Sequence, residues 1–216
     1  MRNLWVVGLG LIPLGLAFGL VMTQAGFAWW WTPIFSIVIY AGSMEFLAVQ
    51  MVASGVGPLS ATVTGFMVNF RHIFYGLTFP RHLIDSPAGK AYSTYSLTDE
   101  SYAITSTTPH SELTGRQVLA IQAGCQAMWV IPGIIGALVG QVIPESVQGM
   151  DFALTALFIV LTYEAFQSNR DFSLPLTAAG IAVLVAVFAP SAILMAGLSA
   201  YFVVLLLRYG LPGVDK

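Results

Sequence analysis

The sequence predicts an all-α membrane protein whose helices cross the bilayer seven to eight times. Three observations carry that prediction. Of 216 residues, 57% are hydrophobic and only 8% are charged, against about 25% charged in a soluble domain. No charged side chain occurs in residues 3–44, 46–70, 117–144 or 172–207, and a helical span needs about 20 apolar residues. The short alternation of an outer-membrane barrel is absent, so a backbone in hydrocarbon has to satisfy its own hydrogen bonds as helix. Seven or eight spans consume most of the chain, which makes 1–216 a single transmembrane domain.

The first span, 3–22, follows Met1-Arg2-Asn3. It lacks a small-x-small cleavage pattern and other spans follow, so it reads as a retained helix rather than a signal peptide. Trp29, Trp30 and Trp31 mark a membrane–water interface at the start of the second span, 30–54. Further spans are predicted at 58–79, 117–140, 150–167, 173–189 and 191–208. Pro58, Pro109, Pro144 and Pro190 fall at or near their ends, where a missing N–H costs least. The fourth span, 89–106, is polar: residues 91–108 hold nine Ser or Thr plus Asp99 and Glu100. If it crosses, it faces protein or water rather than lipid. With eight spans, Arg2, Arg116, Arg170, Arg208 and Lys216 fall on one side against Arg81 and Lys90, which places both termini inside. Seven spans would move one terminus.

Ile39-Tyr-Ala-Gly-Ser-Met and Ile121-Gln-Ala-Gly-Cys-Gln put similar small residues in the second and fifth spans. Three spans apart means opposite orientation, as an inverted repeat with broken helices requires; the alternative is chance, since Ala-Gly is common in membrane helices. Gly15-x-x-x-Gly19 and Gly136-x-x-x-Gly140 permit close helix approach.

A net charge of −2 without a Lys/Arg cluster argues against nucleic acid as a partner and leaves membrane lipid. The single Cys125 cannot form an intrachain disulfide and reads as packing. No zinc pair, phosphate loop or nucleophile elbow is present, so neither a metal nor a cofactor is expected.

Glu45, Arg71, Asp99 and Glu100 sit away from obvious span ends, and a central charge costs roughly 2.5–3.5 kcal/mol on insertion scales. Such residues mark a substrate or ion path, or form a buried network that fixes helix register. Gly42-Ser43 either breaks the second span, with Ser43 as N-cap of an inward anion site, or lies in a continuous helix with a small-residue groove. In Asn69-Phe-Arg71-His72-Ile-Phe-Tyr75-Gly76, helical spacing puts Arg71, His72 and Tyr75 on one side. Arg71 suits bidentate recognition of a carboxylate, or snorkels as an interface anchor. His72 is suited to relay a proton near neutral pH, or is structural. Thr98-Asp99-Glu100 is a helix start capped by Thr98 or Ser96, or its carboxylates bind an ammonium or exchange protons.

Five blocks resemble the AzlC-type branched-chain amino acid permeases, in that family's order. They are Ile-Pro-Leu-Gly-Leu-Ala-Phe-Gly (12–19), Ile-Tyr-Ala-Gly-Ser-Met-Glu-Phe (39–46), Arg-His-Ile-Phe-Tyr-Gly (71–76), Leu-Thr-Asp-Glu-Ser-Tyr-Ala (97–103) and Asp-Phe-Ala-Leu-Thr-Ala-Leu-Phe-Ile (151–159). The resemblance implies a multi-pass exporter of branched-chain amino acids in the bacterial inner membrane, working with a separate AzlD-type membrane subunit of about four spans. It also places Thr98-Asp99-Glu100 in a membrane helix. Where the family usually has Ala-Ser-Gln-Phe, this chain has Ser43-Met44-Glu45-Phe46. Its fourth span is also richer in Ser, Thr and Tyr, which implies a wetter cavity and a more polar substrate.

The resulting expectation is a secondary transporter that moves a small amino acid outward, and not an enzyme. Its substrate-binding candidates are Ser43, Asn69, Arg71, Tyr75, Thr98, Asp99 and Glu100, with Arg71 on the carboxylate and Asp99 or Glu100 on the ammonium. Glu45 and His72 are the proton-coupling candidates, and protonation of Glu45 is expected to release Arg71 for substrate. An intramembrane enzyme using His72, Asp99 and Glu100 and a non-transporting assembly subunit are the rival readings. Association of like chains into a homo-oligomer stays open.

Overall fold

Two of the predicted spans form long helices that run on through an internal proline, Pro13 or Pro132, whereas three others are pairs of short helices. The computed structural model describes residues 2–108, 113–143, 159, 162–163, 166, 170–190 and 193–210. Every regular element among them is helical.

Helix α1 runs Arg2–Gln24 and α8 runs Gly115–Gly140. Between them lie α2 (Trp31–Val38), α3 (Gly42–Ala53), α4 (Pro58–Asn69), α5 (Arg71–Thr78), α6 (Pro87–Tyr95) and α7 (Asp99–Ser106). Helices α9 (Ser173–Phe188) and α10 (Ile193–Gly210) follow. The predicted spans 30–54, 58–79 and 89–106 are therefore each two helices, of 8 and 12, 12 and 8, and 9 and 8 residues. Each pair together approaches the length of one crossing. Among the described residues only α8 is by itself long and apolar enough to cross a membrane, with shorter apolar stretches at 10–24, 173–188 and 196–208. Most of the predicted span 150–167 lies outside the described residues.

The second span breaks earlier than its glycine indicates. Tyr40 takes a positive φ of 42°, Ala41 is extended, and α3 starts at Gly42 with no side-chain cap. Ser43 thus sits in the first turn and is not the N-cap, because the chain turns through Tyr40. The echo segment 121–126 lies inside the uninterrupted α8, so the two similar sequences do not share a conformation. The fourth span breaks after α6, and Thr98 caps α7: its hydroxyl accepts from Ser101 N, and Ser101 Oγ accepts from Thr98 N at 3.0 Å. This reciprocal arrangement satisfies two otherwise orphaned donors.

The chain forms two compact units. In the first (Met1–Gly55 and Asn69–Leu154), α1 packs along α8 more extensively than any other described pair. A Cβ on Gly19 would run into Gly133 O and Ala137 N, and one on Gly136 into Leu16 O. The glycines therefore allow backbone-to-backbone contact, as their spacing predicts. Phe18, Phe46 and Trp129 form the aromatic core beside this crossing, with ring centroids 5.3 to 6.3 Å apart. A smaller cluster of Phe79, Ile84, Leu113 and Val118 surrounds the 3-10 turn Arg81–Leu83. Leu77, Val142 and, in the second unit, Phe188 are largely exposed, a surface that suits hydrocarbon better than water.

In the second unit (Val56–Val68 and Thr155–Lys216) α9 packs on α10. Arg208, in the last turn of α10, pairs with Asp171 and donates to Ser173. Asp171 precedes α9, and hydrogen bonds from Ser173, then the Arg208 charge, hold its carboxyl below the ordinary range. A carboxyl with a depressed folded-state pKa adds stability above its unfolded value, near 3.9, and that gain is lost as pH falls through the folded value. Asp171→Asn is therefore expected to melt earlier than wild type at pH 7, with the gap closing as the pH is taken below about 4. Melting curves in detergent at several pH values check this.

Candidate functional site

Two helix breaks meet in the first unit. Tyr95, at the end of α6, reaches the end of α2: its hydroxyl donates to Ile37 O at 2.5 Å and accepts from Gln126 Nε2 at 3.0 Å. Tyr92 donates to Gln126 Oε1 at 2.8 Å, and the Tyr40 and Tyr95 rings lie 5.8 Å apart. A helix end inside a membrane protein exposes carbonyls that need partners, and Tyr95 supplies one.

A cavity of about 30 Å³ lies between the breaks. Tyr40 and Gly42 line it from the first break, Thr98 and Glu100 from the second, and Leu11, Cys125 and Trp129 from α1 and α8. That volume holds a water molecule or two.

Glu45 lies in the first turn of α3 and is fully buried. Its Oε2 accepts from Ser36 Oγ at 2.7 Å, and Trp129 Nε1 donates to Oε1 at 3.0 Å and Oε2 at 3.1 Å. In one straight helix Ser36 and Glu45 would stand about 13.5 Å apart along the axis; the break brings them together. The expected exchange of charge between Glu45 and Arg71 is not what the fold builds. Arg71 pairs instead with Asp99 Oδ2, while the break turns Glu45 toward the neutral donors of α2 and α8.

Arg71, His72, Tyr75 and Asp99 do come together. His72 Nε2 is 3.9 Å from Asp99 Oδ1, and its Nδ1 lies 3.1 Å from Asn69 O. A carbonyl only accepts, so Nδ1 carries the hydrogen in that bond. Asn69 enters this cluster through its backbone carbonyl. Tyr75 stacks on Tyr102 at 4.3 Å and meets the His72 ring edge-on at 5.5 Å. Thr98 serves as both cap and cavity wall, whereas Ser43 is not in that wall. The two acids of α7 part company: Asp99 turns to Arg71 and Glu100 to the cavity. Together these groups can recognise opposite charges and exchange protons. Among the described residues no group of three or more His, Cys, Asp or Glu could hold a metal ion.

Sequence reasoning missed Ser36, Tyr92, Tyr95, Gln126 and Trp129. The usable signal was on α8, where Gln122, Cys125, Gln126 and Trp129 recur at i, i+3, i+4 and i+7, marking one face of a helix. Gln122 Nε2 donates to Ser93 O at 2.8 Å on that face.

Broken helices whose ends meet around a small polar cavity, in a chain this apolar, are the arrangement on which helical membrane transport proteins build their solute sites. The chain belongs to the AzlC protein family, whose family model matches residues 6–143. It is 32% identical over 176 residues to the branched-chain amino acid transport protein AzlC of Bacillus subtilis, covering 81% of this chain and 69% of that protein. The inner membrane protein YgaZ of Escherichia coli is 29% identical over 196 residues, covering 87% and 80% respectively. An uncharacterized membrane protein of Haemophilus influenzae is 29% identical over 179 residues, covering 81% and 73%. No solved structure matches the chain.

Proposed function

We propose that the chain is a proton-coupled secondary transporter that exports branched-chain amino acids across the bacterial inner membrane. In this reading it crosses seven to eight times, with the paired short helices serving as broken spans, and works with a small AzlD-type subunit of about four spans. The observation that carries the proposal is the cavity between the two breaks. Glu100 lines it from α7, and Leu11, Cys125 and Trp129 line it from α1 and α8, so it offers a carboxyl to an ammonium and apolar surface to an aliphatic side chain. The Arg71–Asp99 pair adds to this. An amino-acid zwitterion carries one carboxylate and one ammonium, so it can replace the internal pair charge for charge, with Arg71 on the carboxylate and Asp99 or Glu100 on the ammonium. His72, set between the Asn69 carbonyl and Asp99, is the proton relay, and Glu45 a second protonation site. The substrate class is supported by the likeness to the Bacillus subtilis branched-chain amino acid transport protein, and the outward direction by the family resemblance alone.

The test is efflux of preloaded labelled leucine, isoleucine and valine from proteoliposomes, with and without the small subunit, under an imposed pH gradient. Branched-chain efflux that follows the proton gradient is the expected result. No efflux in either arrangement from folded protein would overturn the reading.

A further inference from the structure

We propose that Trp129 is the specificity-determining wall of the cavity, and that Glu45 and Ser36 are positioning residues that hold its indole in place. The inference rests on reading the cavity as the amino-acid site and names what limits the side chain that fits there. A volume of about 30 Å³ is far short of an amino acid, so part of the wall has to retreat on loading. Thr98 is locked in its capping box. Tyr40 and Gly42 are set by the backbone of the first break. Leu11, Glu100 and Cys125 are smaller than the indole, which makes Trp129 the wall whose position changes the space most.

That indole is held on every side. It stacks on Phe18 at 6.0 Å and meets Phe46 edge-on at 6.3 Å. Its outer edge lies against Gly42, where an added Cβ would be 3.1 Å from Cη2. Its N–H is gripped by both oxygens of Glu45, of which Oε2 also accepts from Ser36 Oγ. Glu45 is absent from the cavity wall and fully buried, so it touches no substrate and acts through Trp129. Releasing the N–H removes the one directional contact on the ring and lets it tip away from the cavity.

Uptake of labelled alanine, valine and leucine into proteoliposomes holding the protein, with its small subunit if required, tests this. Trp129→Phe is expected to raise kcat/KM for leucine relative to alanine about tenfold, the scale at which a pocket discriminates by size. Glu45→Leu is expected to move the ratio the same way. Glu45→Gln keeps an acceptor for the indole and is expected to keep the wild-type ratio. Ser36→Ala, a milder change that spares the Trp129–Glu45 bond, is expected to give a partial shift. A purely structural role would depress all three substrates alike. An unchanged leucine-to-alanine ratio in Trp129→Phe and Ser36→Ala, with wild type active, would overturn this inference and leave the proposed function standing. Folded wild type that moves none of the three would overturn both.

Discussion

Arg71→Leu and Asp99→Asn are each expected to cut amino-acid flux about a hundredfold or more while the protein still folds. A charge-assisted contact to a carboxylate or ammonium is worth roughly 2–3 kcal/mol, or about two powers of ten in rate. Stability should change far less, because the pair is half-exposed and exposed ion pairs contribute about 0–1 kcal/mol. The double variant Arg71→Leu with Asp99→Asn separates the two roles. It leaves no unpaired charge, so a pair that only fixed helix register would be harmlessly replaced and flux would return. The expected result is a folded double variant that remains inactive. Recovery of flux would reduce the pair to architecture.

The largest effect on the fold is expected at the α1–α8 crossing. Gly19→Leu and Gly136→Leu each place side-chain atoms where the partner's backbone already lies. Backbone cannot swing aside as a flexible side chain does, so the helices must part and the Phe18–Trp129 stack opens with them. Overpacking costs about 1–3 kcal/mol even where neighbours adjust, and here both helices resist. A fall in Tm of about 10 °C or more is expected for a protein of this size, or loss of folded material altogether. Gly10→Ala, on the same α1, and Gly180→Ala, on α9, meet nothing within 4 Å and should be neutral or slightly stabilising through helix propensity. Equal melting of Gly136→Leu and wild type in detergent would show that the crossing does not depend on its glycines.

Helix positions and close-approach glycines were legible because both follow from local composition. The predicted spans 3–22, 117–140 and 173–189 correspond to α1, α8 and α9, and Thr98 caps α7 as one reading of its acids anticipated. The first break was misplaced for a physical reason. Gly42 looks like the breaker, but the residue with positive φ is Tyr40, a conformation side chains usually avoid. Gly42 is small because the Trp129 ring lies against it. The site was legible in part. Arg71, His72 and Tyr75 share a helix, so their grouping follows from spacing, but the partner of each charge lies on another helix and spacing is silent about that. Glu45 and Arg71 looked complementary by sign, yet the fold gives Arg71 to Asp99 and Glu45 to an indole 84 positions away. Trp129 sat in an apolar run where a tryptophan gives no sign of donating to a carboxylate.

Asp99 and Glu100 are consecutive residues at the start of a helix only eight residues long. Neighbours on an α-helix project about 100° apart around its axis, which is why one acid serves the Arg71 pair and the other the cavity. Any roll of α7 as a rigid rod turns both carboxylates through the same angle at once. Glu100 therefore cannot be moved in the cavity by such a roll without Asp99 moving against Arg71. One short helix thus ties the geometry of the ion pair to that of the cavity.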